Sequence, residues 1–511
     1  MRKLNLRRIF MFKNFLKQSV VYSISNIAVK ASGIILLPIY TKYFTVEEFG
    51  RLGLILAIII ILTQVVVLGQ GQSILRFNNP QYGLWNVKSV LFSLTILVAI
   101  TSFLFISLAE VTLNPLASLL GNPADYYSSL HIAIYIVCVT VINNLFQNKL
   151  RADEKAAFYT LLNIIKLIML MIVTIYLVAG KQIGINGVLI GQMTSELFGL
   201  LMILPSMIKQ MEIKFNLEII QTSLRFGVPL IFSALSTTLL NISDRFLIKF
   251  LANEEALGLY ELGYRVAGIL NMFLIMPLSL TLLPIAYKIY NRPGDKEYYK
   301  KIMTYTTFLL MWGGLFLAVY SKEVISLFAS SDSYIPAFEV VPIILLSYVF
   351  VGMSMVSSLG MYLINRTIYI AVITIFSALI NIGLNFLLIP IYGIMGAAID
   401  TLLAFVLLYF LFLMVSNKVY KIEFENIKIL SLIIIGTTLF LITYFVNIGL
   451  FWFNIAFKFI LVMAFPLILY LTSFYDPAEI RILKGFIKKW KDPTDWFNNL
   501  KNERFNFFNK Y

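Results

Sequence analysis

Histidine and cysteine are almost missing from this chain, with one of each in 511 residues. The lone cysteine, Cys138, lies in an apolar run. An internal disulfide is therefore excluded, and with only His131 beside it no Cys/His metal cluster can form. His131 stands at the mouth of an apolar segment and reads as an ordinary interfacial side chain. Charge is scarce as well: 13% of residues are Asp, Glu, Lys or Arg, about half the share in a soluble domain. No G-x-x-x-x-G-K-[ST] loop occurs, which excludes a nucleotide site of that kind. The longest polar stretch between apolar runs, about 110–128, is too short for a soluble domain.

In place of these, 59% of the residues are hydrophobic, in runs of about 20 that recur from end to end. The fold class is an all-α polytopic membrane protein; a β-barrel would show alternating strands of about 10 residues instead. Fourteen spans are expected, at about 18–43, 50–75, 87–109, 129–148, 157–179, 185–208, 224–250, 257–287, 302–320, 338–363, 367–389, 395–416, 428–447 and 450–473. The N-terminal run is too long for a signal-peptide core and lacks a small-residue cleavage site, so it reads as the first span.

A net charge of +15 would suit a nucleic-acid partner, but the basic residues sit in alternate loops. With the N-terminus cytoplasmic, inner segments hold 31 Lys and Arg and outer loops hold 5. That imbalance is the signature of membrane topology and places both termini in the cytoplasm of a bacterial cell membrane. A reporter fused after Asp125 is accordingly expected outside and one after Asp295 inside; the opposite pattern would overturn this orientation. Five basic residues remain inside spans: Lys30, Lys166, Arg245, Arg265 and Lys458.

The chain also repeats. TVEEFGRLG (45–53) resembles NEEALGLYELG (253–263), matching Gly50 to Gly258, and the region 155–191 resembles 366–400, matching Gly187 to Gly396. Each half holds six spans, so the halves share one membrane orientation. Two parallel lobes are expected, 1–215 and 216–420, followed by a helix pair at 421–475 and a tail at 476–511. Parallel repeats are a transporter architecture with the site near the repeat interface. In the tail, Ile480, Leu483, Phe486, Ile487 and Trp490 share a helical face opposite basic residues, the pattern of an amphipathic anchor on an anionic leaflet.

Charges sunk into the repeated hairpins are the candidate site residues. On span one, Tyr22, Asn26 and Lys30 form a four-residue stripe. Span two carries Arg51 at its outer end and Arg76, sharing a face with Gln72, at its inner end. On span seven, Ser233, Thr237, Asn241 and Arg245 recur every four residues, with Asp244 beside the last. Span eight carries Glu261 and Arg265, four apart with the acid first, the better order for an intrahelical pair. Such groups in hydrocarbon normally face a protein interior or a water-filled cavity. Lys166 and Glu196, on spans five and six, read as a simple pair. Asp244, Glu261, Glu196 and Asp400 are the acids able to couple transport to Na⁺ or H⁺.

The chain resembles the bacterial polysaccharide, or O-antigen-type, flippases, relatives of multidrug exporters and lipid II flippases. The resemblance covers essentially the whole length. Its more specific residues are Phe226-Gly227-Val228-Pro229, Ser243-Asp244-Arg245-Phe246, Gly258-Leu259-Tyr260 with Gly263-Tyr264, and LGQGQSILRF (68–77). What it implies is outward flipping of polyprenyl-diphosphate-linked sugar repeat units by alternating access. A cavity between the lobes would hold the head on Lys30, Arg51, Arg76, Arg245 and Arg265, with Asn26 and Asn241. It implies no cofactor and no enzyme activity. The implied partners are the lipid-linked glycan, membrane lipids, and a glycan polymerase or assembly proteins, with no nucleic acid and a monomeric chain.

Elementary physics agrees with that implication. A diphosphate head cannot cross hydrocarbon unaided, whereas a polyprenyl tail can stay in it. Arginine can grip phosphate through two charge-assisted hydrogen bonds. An interior-negative potential favours export of anions by about 2.3 kcal/mol per charge per 100 mV, so two charges gain about 5 kcal/mol without ATP. Two other functions are weighed against this. A cation-coupled multidrug exporter of the same superfamily would want an acidic cavity, and a lipid II flippase of that superfamily is the other transport alternative. A membrane-embedded sugar polymerase or ligase would want a large external loop or clustered acids and histidines, neither of which is visible.

Overall fold

Five of the long helices open on a Thr or Asn whose side chain accepts from their first free N–H groups. The computed structural model describes residues 31–78, 85–446, 449–477 and 479–481. After α1 (Leu37–Tyr43), Thr45 starts α2 (Val46–Val66) with a capping box, Glu48 N–H to Thr45 Oγ1 at 3.2 Å and Thr45 N–H to Glu48 Oε2 at 2.9 Å. A break at Leu68 and Gly69 leads into the short α3 (Gln70–Phe77). Asn86 caps α4 (Val87–Leu120), and Asn122, with Pro123 following, caps α5 (Pro123–Ala152). Next come α6 (Ala156–Ile175), which widens into a π-turn at Tyr176–Gly180, and α7 (Ile185–Ile208).

The second half repeats the plan. Asn216 caps α8 (Leu217–Leu251), and Asn253 caps α9 (Glu254–Leu270), which passes through a π-turn at Asn271–Ile275 into α10 (Met276–Ile289). It continues with α11 (Asp295–Val319), α12 (Ser321–Phe328), a 3₁₀ turn at Asp332–Glu339, α13 (Val341–Ser357), α14 (Leu359–Leu363) and α15 (Thr367–Val419). Residues up to Phe424 form one compact unit. A second, from Glu425, holds α16 (Asn426–Phe445) and α17 (Phe451–Leu471), pinned at one end by Lys428 Nζ to Asp476 Oδ1 at 2.8 Å. No β-strand occurs among the described residues.

Twelve helices among the described residues, not fourteen, are long and apolar enough to cross a membrane. The difference has two sources. The expected first span, 18–43, begins in residues outside those described. Helix α15, 53 residues long, covers two expected spans, 367–389 and 395–416. Its backbone turns at Gly393 (φ 57°, ψ −134°). A Cβ on Gly396 would stand 2.3 Å from the Leu388 carbonyl oxygen. In a straight helix those residues are roughly 12 Å apart along the axis, so the chain reverses at Gly393. A second difference is the expected external loop at 110–128, which is helical on both sides of a tight turn at Gly121 and Asn122. Hydropathy registers the polarity there, whereas the Asn-Pro start of α5 sets the backbone.

The residues matched by the repeat meet each other. A Cβ on Gly50 would lie 2.3 Å from Glu254 O, and one on Gly258 would lie 2.0 Å from Val46 O. Helices α2 and α9 therefore cross backbone to backbone, related by the same shift of 208 that relates the two sequences. Gly187 and Gly396 also hold equivalent places, each against the helix that precedes its turn. In the second half the buried core lies where α8 packs on α15, around Leu240, Ala378, Phe405, Leu408 and Phe412.

Candidate functional site

Neighbours on a helix point about 100° apart, and that angle separates Asp244 from Arg245. Arg245 turns toward α9, where its Nε donates to Glu261 Oε2 at 2.9 Å. One turn further along α9, Arg265 Nε donates to Glu261 Oε1 at 2.8 Å. A single carboxylate thus holds two guanidinium groups, both through Nε, which leaves their outer N–H edges for other acceptors. Arg245 uses one Nη for the Asn241 carbonyl oxygen at 3.0 Å and lies over the Tyr264 ring, 4.5 Å from its centroid. Arg265 lies over Phe49 at 4.9 Å and Tyr40 at 5.9 Å, both in the first lobe. Room for Glu261 comes from Gly53 of α2, where a Cβ would stand 2.9 Å from Glu261 Cγ. The three ionised groups carry a net charge of +1 at the junction of the lobes, and Arg265 is the more open of the two cations.

Asp244 faces the other way, into the second lobe. Its Oδ2 accepts from Tyr260 OH at 2.6 Å and Thr401 Oγ1 at 2.8 Å, and its Oδ1 from Asn385 Nδ2 at 3.0 Å. Beside it, Asp400 Oδ2 accepts from Asn381 Nδ2 at 2.5 Å, while Asn381 Oδ1 accepts from Ser243 Oγ at 2.8 Å. Asp244, Asn381, Asn385 and Asp400 are fully buried, and neither carboxylate pairs with Lys or Arg among the described residues. Asp400 Oδ1 and Asn385 Oδ1 have no hydrogen-bond partner. Two buried carboxylates, with one oxygen of Asp400 and the Asn385 amide oxygen unanswered, form an oxygen-rich cluster of the chemistry that suits a proton or a small hard cation. The sequence sets Asp244 next to Arg245; the structure divides them between two clusters. Asn381, Asn385, Thr401 and Tyr260 were missed. For the two asparagines a signal was present, since positions 172 and 176 in the first repeat are Ile and Tyr, where the second carries Asn381 and Asn385.

The remaining predicted residues are placed as follows. Arg51 forms ion pairs with Glu254 (2.8 Å) and Asp125 (3.3 Å), at the Gly50–Gly258 crossing. Tyr126 OH donates to Glu254 Oε1 at 2.6 Å, and Lys249 also pairs with Glu254. Three helix ends are thereby tied to α2 at one rim. At the opposite end of α2, a Cβ on Gly69 would lie 2.5 Å from Gly227 Cα, and the Arg76 guanidinium lies 4.4 Å from the Phe226 ring centroid. The two stretches 68–77 and 226–229 therefore pack on each other. Between the ends, Gln64 Nε2 donates to Thr238 Oγ1 at 2.6 Å. Asn241 Nδ2 donates to Thr237 O at 2.6 Å. Glu196 accepts from Lys166 Nζ and from Asn143 Nδ2, both at 2.7 Å, so it is already neutralised as the sequence suggested. Lys30 and Asn26 lie outside the described residues, as does the tail beyond 481.

The ion pairs at Glu254 join α9 to α2 and α8 at this rim, so weakening them is expected to expose the side chains between the two ends of α2. Glu254→Gln weakens two ion pairs of about 0.5–1 kcal/mol each, which raises exposure on the order of tenfold. The readout is external thiol labelling of Thr238→Cys in a Cys138→Ala background. Unchanged labelling would show that the ion pairs do not hold the rim.

Two lobes of long apolar helices, with charged side chains gathered where they meet, define a polytopic membrane protein with the fold of flippases and exporters. The chain belongs to the family described as Polysaccharide biosynthesis protein, whose profile matches residues 15–290, just over half of the chain. By fold it is similar to the lipid II flippase MurJ in an inward closed conformation, at a TM-score of 0.73 and 17% identity, covering 89% of this chain and 100% of that one. It is also similar to a multidrug resistance MATE family transporter of the MOP superfamily in an inward-facing conformation (TM-score 0.62, 16% identity, 78% and 95% covered). A third is a MOP superfamily transporter from Pyrococcus furiosus reported with a binding pocket of reverse polarity (TM-score 0.59, 15% identity, 79% and 96% covered). Comparison with curated proteins finds no match by sequence.

Proposed function

We propose that this protein flips polyprenyl-diphosphate-linked oligosaccharide repeat units from the cytoplasmic to the outer leaflet of a bacterial cell membrane by alternating access. The observation that carries the reading is the Arg245–Glu261–Arg265 cluster at the lobe junction. Its cations are oriented by one carboxylate and retain N–H edges for an anionic head. Its charge of +1 suits a diphosphate and disfavours a cationic drug. Lys30 completes the cationic face in this account, a polyprenyl tail stays in lipid, and the chain works as a monomer without a bound cofactor or enzymatic step. A lipid II flippase is a second reading, favoured by the likeness to MurJ, because the head-group chemistry is the same diphosphate.

Coupling to an ion is a second source of driving force beside the membrane potential. Asp244 and Asp400 are the acids placed to bind H⁺ or Na⁺, through their own oxygens, Asn385 Oδ1 and Thr401 Oγ1. Glu261 and Glu196, already held by cations, are assigned to positioning and to packing. The test is complementation in a bacterium lacking its repeat-unit flippase. Surface glycan is expected to return, whereas continued accumulation of lipid-linked repeat units inside would refute the reading.

A further inference from the structure

A polar cluster on the outward face of the first lobe takes no part in the site described above. Glu110 of α4 and His131 of α5 are 3.2 Å apart, and Tyr135 OH donates to the same Glu110 oxygen at 3.1 Å. The imidazole is flanked by two tyrosine rings, Tyr127 stacked at 6.3 Å and Tyr135 edge-on at 5.3 Å. These groups are open, with the His131 side chain 42% and that of Glu110 31% exposed. Around them Phe103, Leu104, Leu108 and Val111 are at least 60% exposed, a surface that meets lipid in a membrane helix. An ionisable cluster on such a surface is costly and normally functional.

Helix length fixes its depth. From Val87 to Glu110 is roughly 34 Å along α4, and from His131 to Ala152 roughly 32 Å along α5, at about 1.5 Å per residue. A hydrocarbon core is about 30 Å thick, so the cluster sits at the headgroup level of the leaflet on the Gly121 side. Between the same two helices lies a cavity of about 200 Å³, lined almost wholly by apolar groups including Ile58, Leu108, Leu113, Leu130 and Ala133. Leu108 is both a lining residue and 66% exposed, so the cavity opens toward lipid.

We propose that this is a binding site for a phospholipid with an amine head. The cavity takes a segment of acyl chain, Glu110 accepts the head-group ammonium beside the faces of Tyr127 and Tyr135, and His131 donates to the phosphate. A carboxylate at phosphate depth repels an anionic head, and tyrosine faces attract a cation. The same charge excludes the diphosphate substrate from this site, so the assignment stands apart from the transport reading.

The experiment uses the full chain in nanodiscs holding phosphatidylethanolamine and phosphatidylglycerol in equal amounts, with retained lipids counted by native mass spectrometry after mild detergent stripping. Wild type is expected to keep phosphatidylethanolamine about fivefold over phosphatidylglycerol, and to lose that preference when the amine is N-acylated. Glu110→Gln removes the preference, and Ala133→Phe, which fills the cavity, removes retention of either lipid, with folding of each checked by thermal unfolding. Equal retention of the two lipids by wild type, or an undiminished preference in Glu110→Gln, would overturn the proposal.

Discussion

Arg265→Ala is expected to abolish glycan export while the protein reaches the membrane at near-normal abundance. Arg265 is the more open cation of the cluster, and its removal leaves Glu261 paired with Arg245. Each charge-assisted hydrogen bond to a phosphate contributes about 1.5–3 kcal/mol, so losing two lowers export by about a hundredfold or more. Arg265→Lys restores less than half of the activity if the grip is bidentate, because an ammonium cannot present two parallel N–H groups. Arg245→Ala is expected to behave differently. It also loosens the fold, since the more deeply buried Arg245 packs on Tyr264 and answers the Asn241 carbonyl oxygen, and its abundance falls together with its export. Export measured beside immunoblots of membranes separates the two. Lys30→Ala follows the pattern of Arg265→Ala, and Lys30→Arg keeps part of the activity because a point charge suffices there. Normal export by Arg265→Ala at wild-type abundance would remove the cluster from the mechanism.

The second large effect falls on Asp244. Its two oxygens accept three hydrogen bonds, from Tyr260, Thr401 and Asn385. An asparagine in its place must turn an amide N–H toward at least one of these donors, in whichever orientation it takes. Asp244→Asn therefore removes a charge and leaves a buried donor opposed, a cost of about 1–3 kcal/mol. Transport is expected to lose its dependence on the coupling ion, whether Na⁺ or H⁺, and to run more slowly. Asp400→Asn, whose Oδ1 is unpartnered, is expected to lose the ion response with less harm to stability. The measurement is initial transport rate against Na⁺ at fixed pH and against pH at fixed Na⁺. An unchanged response in both variants would make this cluster a structural network only.

Much of the architecture was legible because membrane helices and repeats leave strong periodic marks. Gly50 and Gly258 could be matched by sequence, and they meet at the α2–α9 crossing because only hydrogen side chains allow that approach. The Glu261–Arg265 pair was legible from spacing four. Arg245 as a third member was not, because its partner lies across the hairpin and contact between helices leaves no mark in either one. Adjacency says nothing of the partners of Asp244, since the helical period sends adjacent side chains to different neighbours. The Asp244–Asp400 cluster was half legible: the acids stood out, whereas Asn381, Asn385 and Thr401 looked like ordinary polar residues until α8 and α15 came together. Hydropathy also drew a loop where α4 and α5 run on to Gly121, because polarity and backbone conformation are separate properties.

The most direct measurement is transport by the purified chain in proteoliposomes, using a radiolabelled polyprenyl-diphosphate glycan whose exposure is read with an added hydrolase. Wild type should move the diphosphate-linked glycan, Arg265→Ala should not, and the neutral polyprenyl glycan lacking the diphosphate should stay behind in both. Equal movement of the neutral and anionic lipids, or equal movement by wild type and Arg265→Ala, would contradict an Arg245–Glu261–Arg265 site for the diphosphate head.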